Sequence, residues 1–105
     1  MATTSAFPLV RFRASLSEIY GPRLERVVLY GSRARGDARQ DSDYDVAVFL
    51  TDLEDRWQAI DRLARLSTDI LDETGAVINA LPFNSRAYSE RTPLMHEIRL
   101  DGHDL

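Results

Sequence analysis

The sequence predicts an α/β or α+β domain, a small β-sheet with helices packed on one side of it. Three observations lead there. Short β-rich runs stand at 26–30, 43–50 and 76–81. Stretches with apolar residues three and four apart lie before, between and after them. Glycine, proline and polar turn residues separate the two kinds of segment. A chain of 105 residues holds enough apolar surface for one core and not for two, so residues 1–105 are expected to form one domain.

The first helix is expected over Leu9 to Tyr20, where Leu9, Phe12, Leu16 and Ile19 line one face and Gly21-Pro22 stops it. Arg26 to Tyr30 reads as a buried strand. Gly31 opens a turn, Ser32 to Gly36 forms a short helical turn, and Asp37 to Ser42 is polar loop. Asp43 to Leu50 is the second strand, with Val46, Val48 and Phe49 as its apolar contacts. Thr51 and Glu54 make a capping box for a long helix reaching about Glu73. Its apolar stripe is Leu53, Trp57, Ile60, Leu63, Leu66, Ile70 and Leu71, which puts Trp57 in the core. Gly75 ends it. Ala76 to Leu81 is the third strand, closed by Pro82, and Ser85 to Ser89 is a helical turn. Thr92-Pro93 caps and starts a last helix to about Leu100. His96, His103 and Tyr88 are expected at the surface without a role.

Composition removes several classes of function. There is no cysteine, hence no disulfide and no thiolate chemistry, which fits a reducing, cytoplasmic setting. There is no lysine, so a P-loop, Schiff-base or general-base lysine is impossible. The net charge of −4 argues against direct nucleic-acid binding. No apolar run approaches the ~20 residues that span a bilayer. The start, Met1 to Pro8, lacks the charged and apolar regions of a secretory signal.

The segment Gly31 to Asp45 carries the chemistry. Gly31-Ser32 follows a strand and opens a helical turn, where backbone N–H groups and a hydroxyl make an anion site; an ordinary turn is the plain alternative. It is neither a dinucleotide-binding glycine motif nor a P-loop. Asp43 and Asp45 stand two apart on a strand, so both carboxylates face the same way and suit a divalent cation such as Mg²⁺. The plain alternative is a solvated acidic pair. Taken together, a phosphate cradle and a cation site facing one crevice would serve a nucleoside triphosphate with Mg²⁺. Tyr44, between the two acids, faces the opposite side.

Gly-Ser, ten residues, then Asp-x-Asp resembles the signature of the polymerase-beta-like nucleotidyltransferase superfamily. Arg33-Ala34-Arg35-Gly36, and Ser42 before Asp43, resemble its minimal nucleotidyltransferase (MNT) branch, as does the tail from Thr92 to Leu105. The resemblance implies the nucleotidyltransferase fold, a mixed sheet with helices against it. It also implies residue roles: Asp43 and Asp45 as catalytic metal ligands for Mg²⁺, and Gly31, Ser32, Arg33 and Ser42 at the nucleotide. Arg35 is a further candidate for phosphate. ATP would be the substrate. Short MNT proteins resemble antitoxins whose partner is a HEPN-domain ribonuclease toxin, and the implied activity is transfer of AMP to a tyrosine of that toxin. The alternative is an MNT-fold antitoxin of weak catalysis that neutralises its toxin by contact. Transfer to a small molecule is a third reading, for which so short a chain leaves little room. One position departs from the family: its third carboxylate is expected on the 76–81 strand, where the only polar residue is Asn79. Asn cannot accept a proton as a base, so weaker metal binding and slow catalysis are expected.

Overall fold

The computed structural model describes residues 3–39 and 41–105. Met1, Ala2 and Gln40 lie outside the described residues, and with them part of the leader and loop readings above. The elements run α1 (Thr3–Tyr20), β1 (Leu24–Tyr30), α2 (Ser32–Arg35), β2 (Tyr44–Leu50), α3 (Arg56–Thr74), β3 (Ile78–Asn84), α4 (Pro93–Asp101) and β4 (His103–Asp104). Single 3-10 turns occupy Gly21–Arg23 and Ser85–Ser89. Among the described residues the sheet has four strands in the order β3-β2-β1-β4. It is mixed: β1 runs antiparallel to β2 and β4, and β2 runs parallel to β3.

The period of two along β1 and β2 divides the core between the two faces. Val27, Leu29, Tyr44, Val46, Val48 and Leu50 meet α1 and α3 through Phe12, Leu16, Leu63, Leu66 and Ile70. Val28, Tyr30, Ala47 and Phe49 meet Met95 and Ile98 of α4. Helices therefore cover both faces, not one. β2 is buried on both sides because it sits inside the sheet, which explains its almost unbroken apolar run.

Several boundaries differ from the sequence reading. α3 begins after Asp55, whose carboxylate accepts the Gln58 N–H at 3.0 Å, and not at a Thr51/Glu54 box. Thr51 is held elsewhere: its N–H donates to the Arg23 carbonyl, and Arg23 pairs with Asp52 at 2.7 Å. Pro82 lies inside β3 instead of closing it. β3 is an edge strand, where a missing N–H is tolerated. β2 begins at Tyr44, leaving Asp43 just before it. α1 starts at Thr3, ahead of Leu9.

Trp57 is not core; it is 79% exposed. α3 buries Ala59, Leu63, Leu66 and Ile70, a stripe with intervals of four, three and four, and Trp57 falls off it. Leu71, also assigned to that stripe, is exposed. Tyr88 is half-buried, edge-on to Phe49 and beneath the Arg26 guanidinium. Removing the α3 cap by Asp55→Ala is expected to cost about 1 kcal/mol, read as a lower denaturation midpoint with an unchanged slope.

Candidate active site

β1 delivers the chain to Gly31 with φ 77° and ψ −157°, a backbone region essentially reserved for glycine. The next residues turn at once into α2, closed by Gly36 in the left-handed region. Ala34 and Arg35 N–H both donate to the Gly31 carbonyl at 3.1 Å, and Gly36 N–H donates to the Ser32 carbonyl at 3.0 Å. The start of such a turn carries N–H groups without helical acceptors, beside the half-buried Ser32.

Antiparallel pairing sets Tyr30 opposite Asp45, so the acidic pair lies directly beside this turn. The approach is close enough that a Cβ on Gly31 would fall 2.5 Å from Asp45 Oδ2. Glycine is thus required twice here, by φ and by space. Gly31→Ala is expected to destabilise the fold by about 1–3 kcal/mol and to displace the Asp45 carboxylate. A denaturation midpoint within error of the wild type would refute it.

β3 supplies the third member. Its parallel register sets Asn79 against Asp45. The Asn79 side-chain amide donates to Asp43 Oδ2 at 2.8 Å. It also counters the rise in the Asp45 pKa, so one amide serves both acids. Asp45 is raised above the ordinary aspartate value, first by burial and then by the Asp43 charge, with Asn79 and Arg35 pulling it down. Both carboxylates therefore share one face with Asn79, while Tyr44 points into the opposite core.

Arg33 holds the loop that precedes the acids. Its guanidinium donates to the Ser42 carbonyl at 3.1 and 2.7 Å and lies 4.2 Å over the Tyr44 ring. Ser42 Oγ accepts the Arg39 N–H at 2.8 Å, and Ser42 N–H returns to the Arg39 carbonyl. These two residues fasten the loop that leads into the acidic pair. Arg35 is the cation on the acid side, between Asp37 at 3.3 Å and Glu97 of α4 at 3.4 Å.

Two residues of this neighbourhood escaped the sequence reading. Tyr30 packs below the pair, its phenol raised above the usual value by burial, then by Asp45 and Glu97. Its place was legible from the alternation along β1. Glu97 was not, because only the packing of α4 on β1 brings it here. His103 is exposed, as expected, and its Nε2 meets the Ala34 carbonyl at 2.9 Å.

The site fits one hard divalent cation. It offers carboxylate oxygens on one face, a close like-charged pair that a cation would relieve, and open space for water and phosphate oxygens. Among the described residues no third acid or histidine completes a protein-only metal cage. Among them, too, no helix is long and apolar enough to cross a membrane.

Comparison with known proteins shows the family and the fold. The polymerase beta nucleotidyltransferase family profile matches residues 17–103. A Methanocaldococcus jannaschii protein, named as a putative protein adenylyltransferase, is 30% identical over 80 residues, 76% of this chain and 74% of its own length. A toxin–antitoxin structure with AMP-PNP superposes with a TM-score of 0.60 at 22% identity, covering 89% of this chain and 68% of that one. A Shewanella oneidensis structure, of a tri-AMPylated HEPN toxin in complex with its MNT antitoxin, gives 0.53 at 17% identity, covering 93% and 71%. At these identities the two structures share the fold.

Proposed function

Because this chain belongs to the polymerase beta nucleotidyltransferase family, we propose that it is an MNT antitoxin that transfers AMP from ATP to a tyrosine of a partner HEPN toxin. The observation that carries the chemistry is the closeness of Gly31 to Asp45, which sets a turn able to hold phosphates against a pair able to hold Mg²⁺. The choice of acceptor and partner is supported by the relative named as a protein adenylyltransferase and by the AMPylated toxin in the Shewanella complex. The cysteine-free chain suits a cytoplasmic setting.

In this reading Gly31 and Ser32 hold the β- and γ-phosphates. Asp43 and Asp45 hold Mg²⁺, which when bound neutralises charge on the phosphates. Arg33 and Ser42 serve the nucleotide by fixing the loop beside it. Arg35, in long ion pairs to Asp37 and Glu97, is placed to meet an incoming phosphate oxygen. The tyrosine hydroxyl attacks the α-phosphorus, the bond to pyrophosphate breaks, and the phenolic proton goes to solvent or to a base on the partner. Asn79 cannot take that proton.

A contact-only antitoxin is the second reading, favoured by one observation: the β3 residue bonded to Asp43 is Asn79, a neutral amide and not an acid. The test is transfer of α-phosphate-labelled AMP from ATP to the HEPN partner. Labelled toxin supports the enzyme. Toxin neutralised without label, under every divalent metal tried, supports the contact reading.

A further inference from the structure

On the face that carries Asp45, the cover of α4 and the Ser85–Ser89 turn stops one strand short of the edge. Ala47 and Phe49 of β2 are buried there, and Phe83 of β3 stacks on Phe49 at 5.6 Å. Between Phe83 and Asn79 lies Leu81, in register with Ala47 yet 40% exposed. Beyond β3 there is no further strand among the described residues. An uncovered leucine thus stands two residues from Asn79, on the face that holds the acidic pair and at an open sheet edge.

We infer that the Asn79–Leu81 stretch of β3 is the docking surface for the acceptor tyrosine, the ring lying on Leu81 and the hydroxyl reaching toward Asn79. The inference rests on the nucleotidyltransferase reading above. In-line displacement fixes the side of approach. The pyrophosphate leaves toward Gly31-Ser32, at the end of β1, so the attacking oxygen must come from the opposite side of the acidic pair. In the order β3-β2-β1 that side is β3. The spacing fits a phenol: residues 79 and 81 are about 6.6 Å apart along a strand, close to the reach of a tyrosine side chain. The chemistry fits as well. An apolar platform beside a neutral amide rewards a flat ring ending in a hydroxyl. An open edge suits a side chain presented by a protein surface.

The test compares wild type, Leu81→Gln and Leu71→Gln. Leu71 is a control of matching exposure, at 43%, on α3, which covers the opposite face of the sheet. Transfer of labelled AMP to N-acetyl-tyrosinamide is expected to fall about tenfold in Leu81→Gln alone, while Mg·ATP binding by all three stays equal. Equal transfer by all three would overturn the inference. If the wild type transfers no AMP to this small acceptor, the enzymatic reading is decided by labelling of the HEPN partner, and the Leu81 methyl resonances decide the surface separately. Saturable shifts with N-acetyl-tyrosinamide and none with N-acetyl-serinamide uphold it; no shift with the tyrosine probe overturns it.

Discussion

Asp43→Asn together with Asp45→Asn is expected to abolish the Mg²⁺-dependent part of ATP binding and to lower AMP transfer by about a hundredfold or more. Two ionised carboxylates are the negative charges that hold the cation against the triphosphate, and asparagine removes both while keeping shape. The wild type should gain about 2.7 kcal/mol when Mg·ATP is a hundredfold above its Kd. For a chain of this size that is a rise of about 10 °C in melting temperature. The double variant should show none of the Mg²⁺-dependent rise.

The same variant should not melt earlier without ligand. Asp45 has a raised pKa in the fold, mainly through burial. A carboxylate of raised pKa contributes stability that is present below the unfolded value and lost as pH rises through the folded one. At neutral pH the charged form is therefore a cost, and asparagine relieves it. Loss of binding with an unchanged or higher ligand-free melting temperature assigns the acids to function. An equal Mg·ATP response in wild type and variant would show that the metal is held elsewhere.

The acidic pair and the glycine turn were legible in the sequence because both obey local rules. A period of two fixes the shared face of Asp43 and Asp45, and a glycine between a strand and a serine-led turn marks a backbone that other residues avoid. What escaped depends on packing between distant segments. The start of α3 was misplaced because Thr51-Asp52 is drawn to Arg23 across the sheet end, leaving Asp55 to cap. Trp57 was assigned to the core because seven apolar residues made the stripe wider than the face α3 buries. The two-residue β4 is too short to show any period; Leu105 N–H on the Val27 carbonyl helps to hold it. The hold of the Arg33 guanidinium on the Ser42 loop, from the Tyr44 side, is likewise a contact between segments that local rules do not give.

Asn79→Asp is expected to raise AMP transfer by roughly tenfold, about 1.4 kcal/mol at the transition state. The register supports the choice of position, since Asn79 stands opposite Asp45 and its amide already reaches Asp43. A carboxylate there adds a full negative charge for a second cation beside the attacking hydroxyl, the arrangement that lowers the pKa of the nucleophile. The gain is modest because a phenol of pKa about 10 needs less help to ionise than an aliphatic alcohol. Without metal the substitution should be destabilising. The donor to Asp43 is lost, a third like charge joins the pair, and the pKa of Asp45 climbs further from its already raised position. Raising Mg²⁺ should restore the melting temperature of Asn79→Asp by more than it moves the wild type. Lowering the pH should also restore it, because protonation removes the repulsion. A variant that melts early in low Mg²⁺, recovers in high Mg²⁺ and labels faster identifies residue 79 as the third metal position. If labelling stays at the wild-type rate while the metal-dependent recovery appears, position 79 binds the ion but is not where the hydroxyl is activated. If neither changes, the third acid of this family has no counterpart on β3.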